Sequence, residues 1–509
     1  MGLNNSDVVI DYDEIRSLRV RYSSIVNYSY VVYRAFTSLL FSIIVIRRLP
    51  PSEYGLFSFI IALIGLFVPL NNLWNYWSFR FYARKRYGLS FAAFAITIIY
   101  GFVGFALIYS LLFLGFQEYL YGVVAGLIFV GQGLYLYFKN LLYATRPYLV
   151  GYISMVGETL RVLSAYFFVA VFNLRVIGAL SSLVVVFLSN NLLAICFLAR
   201  ISGLPRLVFS KEDLRVLFVN AYIPLLQTIN QQIKLSIERL FTTLFTGSTL
   251  FSAYLGVSYI SRSFVSGRGS FTRSLSSRLL RLGVSSDIED VLRILVILSF
   301  LVSGAFIVYS RTVLSIFRRE YLDAQILLIL YTIGALIDVF ANFFSSISIS
   351  LEKSDLVFHG GKLKETVLFR NPFAVFLANI SYVSAGAVAF MSMYVVLGVR
   401  NIVFLLIPFP IAYIVAYIPL LVVFYRRSIE KIQYSIPWRE VMASIVGVAC
   451  FSVFGIVTGY SNIVVKSLYR DYIYILIIAG YSLAIYFVVL YLLSPWFREF
   501  VRKVVEEIF

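Results

Sequence analysis

The sequence predicts an all-α integral membrane protein with about fourteen transmembrane helices, and three observations predict it. The chain of 509 residues is 61% hydrophobic and only 13% charged, whereas a soluble protein of this size would cover its surface with charge. Mean hydropathy is +0.89, and the apolar stretches recur along the whole length. Aromatic residues make up 17%, with 38 tyrosines, many of them flanking the apolar runs. A half-polar ring prefers that place, at the level of the lipid headgroups.

A bilayer core requires roughly 20 mostly apolar residues per helix. That ruler places six spans in the first part of the chain, at 24–46, 54–74, 89–114, 118–143, 148–172 and 176–199. Six more follow at 213–245, 249–267, 291–309, 323–350, 372–397 and 401–425, and two at 438–459 and 471–493. The first 23 residues are polar and carry acids, unlike a cleaved signal peptide. The first span is therefore expected to act as the insertion signal. The longest loops, 351–371 and 268–290, are too short to fold as separate domains. Chemistry must then happen within the helix bundle or at its faces.

The net charge of +18 does not point to nucleic acid, because the basic residues lie in short loops with no accompanying motif. They set topology instead. With the N-terminus inside, the inner segments carry about 27 basic residues and the outer loops about 9. The inner set includes Arg80, Arg84, Lys85, Arg86, Arg273, Arg278, Arg281, Arg426 and Arg427; the outer set includes Arg47, Arg48, Arg311, Arg318 and Arg319. The bias predicts a cytoplasmic-membrane protein with both termini cytoplasmic. Cys196 and Cys450 fall inside apolar segments and form no spaced framework, so neither redox nor zinc chemistry is expected. His359 stands alone in a loop and makes a poor metal site.

Most of the functional information lies in charges left inside the spans: Arg34, Glu158, Arg161, Lys234, Glu238, Arg239, Arg262 and Asp338. One arginine at a helix centre costs roughly 2.5–3.5 kcal/mol if it faces lipid, so these groups should face a wet cavity or one another. In the seventh span Asn220, Gln227, Gln231, Lys234 and Glu238 are spaced by seven, four, three and four residues. That spacing puts them on one helix face. In the eighth span Ser252, Tyr259, Arg262 and Ser266 repeat the pattern more weakly. The two stripes together suggest the wall of a hydrated cleft.

Simpler readings stand beside this one. Glu158 and Arg161, at i and i+3, read equally as a structural pair, and so do Lys234 and Glu238 at i and i+4. Arg239 is expected to snorkel to the outer surface. Asp338, with Asn342 one turn on, fits either a proton or cation site or an interhelical hydrogen bond. Arg34 and Arg262 have no partner close in sequence, which favours a ligand-facing role for both.

Three segments carry a family resemblance. Residues 47–58, RRLPPSEYGLFS, resemble the first loop and second-helix start of polysaccharide-biosynthesis flippases, the Wzx-like branch of the MATE/MOP superfamily. Residues 237–241, IERLF, followed by Gly247 and Ser252-Ala253-Tyr254, look like that family's acidic-Arg step after the seventh helix. Residues 317–324, FRREYLDA, resemble the turn that leads into the tenth span. The chain departs from the pattern at Glu238, where the family more often has Asp, at Arg48, which interrupts an Arg-Leu pair, and before Tyr254, where a Gly is usual.

The resemblance implies two six-helix lobes around a central cavity: an N-lobe at 24–199 and a C-lobe at 200–425. Two extra helices would occupy 426–493, with cytoplasmic segments at 1–23 and 494–509. It further implies alternating access and a cationic cavity for the pyrophosphate of a polyprenyl-linked oligosaccharide, a group that arginine pairs with well. By this resemblance Arg34 and Arg262 bind the diphosphate. Arg161, Lys234, Gln227 and Gln231 support it, and Glu158, Glu238 or Asp338 couple the cycle to a proton or monovalent cation. No other cofactor is expected; the partners would be the lipid-linked saccharide, the bilayer and glycosyltransferases of the same pathway. Two alternatives stay open: a cation or drug antiporter of the MATE branch, and a membrane glycosyltransferase or polymerase. The short loops leave little room for the latter.

Overall fold

A computed structural model describes residues 20–75, 87–201, 221–266, 285–351, 366–465 and 468–508. Every regular element among them is helical. The first half contains α1 (Val20–Arg48), α2 (Pro51–Phe67), α3 (Tyr87–Phe116), α4 (Tyr119–Thr145), α5 (Pro147–Ala165) and α6 (Arg175–Ile201). The second begins with α7 (Tyr222–Gln232), a widened π turn (Ile233–Ile237) and α8 (Glu238–Thr246). Then follow α9 (Leu250–Ser266), α10 (Ser285–Val308), α11 (Ser310–Phe317), α12 (Gln325–Ser350), α13 (Val367–Met391), α14 (Ile402–Leu406) and α15 (Pro408–Lys431). The chain ends in α16 (Trp438–Val457), α17 (Leu468–Leu493) and α18 (Pro495–Ile508). Four of these helices open on proline, whose missing N–H would be unsatisfied there in any case.

Eleven stretches among the described residues are long and apolar enough to cross a membrane, and the chain is a multi-pass membrane protein. They coincide with eleven of the fourteen expected spans. The first, seventh and eighth expectations are helical where described but are not among the eleven. The seventh concentrates Lys234, Glu238 and Arg239 in one stretch, and α9 is only 17 residues long. Asn220, His359 and the loop arginines at 80, 84, 86, 273, 278 and 281 lie outside the described residues, as does Lys85.

Helix contacts divide the bundle into two lobes. In the first, α1 packs on α5, α3 on α4, and α6 on both α4 and α5; in the second, α12 packs on α9 and α15, and α13 on α7 and α15. The pair α16 and α17 attaches to the second lobe through α10. The lobes share a local signature that periodicity does not reveal. The helix begun by α5 and that begun by α13 both end in a π turn. At the first of these ends Phe172 N–H bonds Phe167 O and Leu174 N–H bonds Phe168 O, both at 2.8 Å. At the second, Leu397 N–H bonds Ser392 O at 3.1 Å and Val399 N–H bonds Met393 O at 3.0 Å. Asn173 (φ 53°) and Gly398 (φ 63°) supply the left-handed residue at each end.

One hydrophobic cluster spans both lobes at one end of the bundle. It joins Val45, Ile46, Phe57 and Ile60 of the N-lobe to Leu240, Phe251, Leu255, Phe317 and Leu328 of the C-lobe. There α2 and α9 meet backbone to backbone: a Cβ on Gly55 would fall 2.0 Å from Thr249 O, an approach only small residues permit. At the opposite end the described core residues form two separate clusters. One surrounds Trp74, Tyr137, Leu141 and Leu198, and the other Val265, Leu292, Phe343 and Phe424. The lobes are thus sealed together where α1 ends and α2 begins, whereas towards the other end the described core residues cluster within each lobe and residues 68–71 still touch α7.

Candidate functional site

On α1 the residues Arg34, Thr37, Ser38 and Phe41 recur at helical spacing and face α5. There Glu158, 7% exposed, gathers three donors. Arg161 Nη2 lies 2.5 Å from its carboxylate, the Thr37 hydroxyl donates at 3.3 Å, and Arg34 Nε stands 3.7 Å away. Arg161 also donates to Ser38 Oγ at 2.8 Å and covers the Phe41 ring at 4.9 Å. Arg161 is therefore fixed by Glu158, Ser38 and Phe41, and Glu158 is shared. Arg34 is held loosely: 60% of its side chain stays accessible, against 14% for Arg161.

The seventh-span stripe does not behave as a continuous α-helix would. The π turn at 233–237 lies between Lys234 and Glu238, and one inserted residue rotates the helix beyond it by roughly 100°. The i, i+4 pairing of these two residues is accordingly not formed. Lys234 instead pairs with Asp338 on α12, whose other oxygen accepts from Asn342 Nδ2 at 2.8 Å. Glu238 turns the other way, and its Oε2 accepts from the hydroxyls of Tyr259, at 2.6 Å, and Tyr331. Gln231 and Gln227, both exposed, share the face of Lys234 one and two turns away from the sealed end.

Arg262 is the outlier. It is 2% exposed, it makes no ion pair among the described residues, and none of its three guanidinium nitrogens has a hydrogen-bond partner there. Its company is aromatic: the guanidinium lies 4.5 Å from the Tyr413 ring centroid and 5.4 Å from that of Tyr259. Around it the Tyr382 and Tyr413 hydroxyls and Glu238 Oε1 are likewise buried without a partner. The α9 stripe thus faces the packed interior rather than a hydrated cleft, because Ser252, Tyr259 and Arg262 are all buried. The snorkelling expected of Arg239 is not seen either. Its guanidinium donates to Ser58 Oγ of the other lobe at 3.2 Å and to Leu235 O at 2.5 Å, and lies 5.3 Å from the Tyr259 ring.

Sequence reasoning missed the tyrosines that surround this arginine. Tyr331, Tyr382, Tyr413 and Tyr417 sit within helices rather than at their ends and are fully buried. The usable signal was position: Tyr413 and Tyr417 are i and i+4 inside a span, where a tyrosine must find a polar partner. Tyr417 finds one in Asn379 Oδ1 at 2.8 Å, and Asn379 in turn donates to the Asn230 carbonyl at 3.2 Å. Five cations (Arg34, Arg161, Lys234, Arg239, Arg262) stand near three carboxylates (Glu158, Glu238, Asp338) on these helices. Among the described residues Arg262 is the one fully buried cation, beside the buried carboxylates Glu158, Glu238, Asp338 and Glu440.

No protein-family model and no curated relative matches the chain. Solved structures do. A MATE in complex with MaD5 aligns at a TM-score of 0.54 with 14% identity, over 82% of this chain and 97% of its own. A MATE in complex with MaD3S gives 0.53 and 14%, over 81% and 96%. The inward-facing conformation of a multidrug resistance MATE family transporter of the MOP superfamily gives 0.50 and 15%, over 80% and 98%. The fold is the MATE fold. At these identities the likeness fixes architecture alone, so the use of this MATE-fold interior has to be argued from its own side chains.

Proposed function

We propose that this chain is a transporter that carries a lipid-linked oligosaccharide or polysaccharide precursor across the cytoplasmic membrane by alternating access. The observation that carries the reading is Arg262, a buried guanidinium with no ion pair or hydrogen bond among the described residues, set beside unpartnered tyrosine hydroxyls. A charge whose hydrogen bonds are unmade is very unfavourable in a low-dielectric interior, so a site that keeps one is suited to a ligand of opposite sign. A diphosphate meets the requirement, since guanidinium binds phosphate with paired, charge-assisted hydrogen bonds. In this reading Arg34 is the first contact, because its side chain stays accessible beside a carboxylate that Arg161 already engages. Arg262 is the second, reached when the tyrosine cage opens. Gln227 and Gln231 contact the sugar, and Arg161 and Lys234 set the local field.

Coupling falls to Glu158 or Glu238. Asp338 is the weaker candidate, because the Lys234 ammonium already satisfies its charge. The loop charges orient the end opposite the seal, and both termini, towards the cytoplasm, the side on which glycosyltransferases would supply the cargo. The test is flipping of a lipid-linked saccharide in reconstituted vesicles. Arg34→Ala and Arg262→Ala are each expected to lower the rate about tenfold or more, the weight of a charged hydrogen bond. Normal rates in both variants would sink the reading.

A second reading is favoured by one observation, the multidrug resistance MATE among the structural neighbours. A cation or drug antiporter of this fold would use Glu158, Glu238 and Asp338 to hold organic cations. Uptake of an organic cation that stops with Glu238→Gln, together with unchanged behaviour of Arg262→Ala, would favour it over the flippase. A membrane glycosyltransferase or polymerase remains the distant third, tested by glycosyl transfer with the purified protein.

A further inference from the structure

At the sealed end the lobes exchange a matched pair of contacts that their apolar packing does not require. Arg47, in the last turn of α1, donates from Nε to the carbonyl of Ile316, in the last turn of α11, at 2.8 Å. Arg318, just past α11, donates from Nη1 to the carbonyl of Leu49, just past α1, at 2.6 Å. Each lobe thus offers the C-terminus of a helix, and each answers with an arginine from beside its own. The last carbonyls of a helix have no partner within it and carry the negative end of its dipole. A guanidinium from the opposite lobe satisfies both needs at once.

The two bonds are reciprocal, so neither lobe can turn away without breaking both. Leu49 lies fully buried between them, and Glu320 Oε2 steadies Arg318 from 3.4 Å. The same seam carries Thr249 Oγ1 to Ser52 O at 3.0 Å. We infer that Arg47 and Arg318 form a clasp that holds this end of the transporter shut, and that the conformational cycle must release it. The inference rests on the alternating-access reading and adds to it the residues that latch one gate. The neighbours Arg48 and Arg319 are exposed and carry the same charge at the same depth, which makes them matched controls.

The test measures a distance across the sealed end in the full-length protein in lipid nanodiscs. After Cys196→Ser and Cys450→Ser, spin labels at Glu118→Cys and Leu397→Cys report from exposed sites on opposite lobes. Without further change the distribution is expected to hold one short population. Arg47→Gln with Arg318→Gln is expected to add a longer one, the closed-to-open ratio falling on the order of tenfold or more for the loss of charged hydrogen bonds. Arg48→Gln with Arg319→Gln should leave the distribution unchanged. An unchanged distribution in the clasp variant overturns the inference, as does an equal shift in the control. A shift confined to the clasp variant in a protein that fails to flip a lipid-linked saccharide supports the clasp and removes the cargo assignment, so the two claims fail separately.

Discussion

In the N-lobe, Glu158 stands between two arginines, and one of them keeps most of its side chain accessible. In the C-lobe, Lys234 is closed onto Asp338, Glu238 is capped by two tyrosine hydroxyls, and Arg262 is buried against aromatic rings. Both halves set arginine or lysine beside carboxylate, yet one holds a cation ready and the other locks its cations away. Accessible ion pairs are cheap to break because water takes over their solvation. Buried ones are expensive to break from one side, since the remaining charge is stranded. The N-lobe is therefore suited to first contact with an anion, and the C-lobe to a response that comes after a change of shape.

The sharpest attack on this contrast is Glu238→Ala. It removes the acceptor of Tyr259 and Tyr331 and leaves Arg239 and Arg262 without a nearby carboxylate; a loss of about 3–5 kcal/mol should appear as a large drop in melting temperature in detergent. Asp338→Ala comes next, stranding the Lys234 ammonium at a comparable cost of about 3 kcal/mol. Here a rescue is expected. Adding Lys234→Met should recover most of the stability, and failure to do so would mean that the two groups are not coupled.

Glu158→Gln probes the other lobe. It strands the part-buried Arg161, so the expected loss is about 3 kcal/mol. Arg34→Gln, at the accessible partner, should cost no more than about 1 kcal/mol, and a drop there as large as that of Glu238→Ala would erase the distinction between the lobes. The smallest effect belongs to Tyr413→Phe. Its hydroxyl has no hydrogen-bond partner among the described residues, so stability should change by no more than about 0.5 kcal/mol. Tyr413→Ala, which removes the ring over Arg262, should cost several times more in the same melting assay.

Span positions were legible because a bilayer forces each crossing into a long apolar run, and eleven such runs stand where hydropathy placed them. The charged residues were legible as interior for the same reason. Their partners were not. Arg34 and Glu158 lie on different helices, as do Lys234 and Asp338, and no local spacing encodes a contact between helices. The pairing of Lys234 with Glu238 failed on one feature, the π turn between them. A widened turn leaves no mark in a pattern read at 3.6 residues per turn.

By itself the sequence determined a many-spanned helical membrane protein with cations inside it, because lipid rejects both loose backbone and unpaired charge. Tertiary structure alone decided which end of the bundle is sealed, which arginine stays accessible and which is caged by tyrosines. Those outcomes depend on how separate helices are brought together, and the apolar pattern of each helix is the same whichever neighbour it meets.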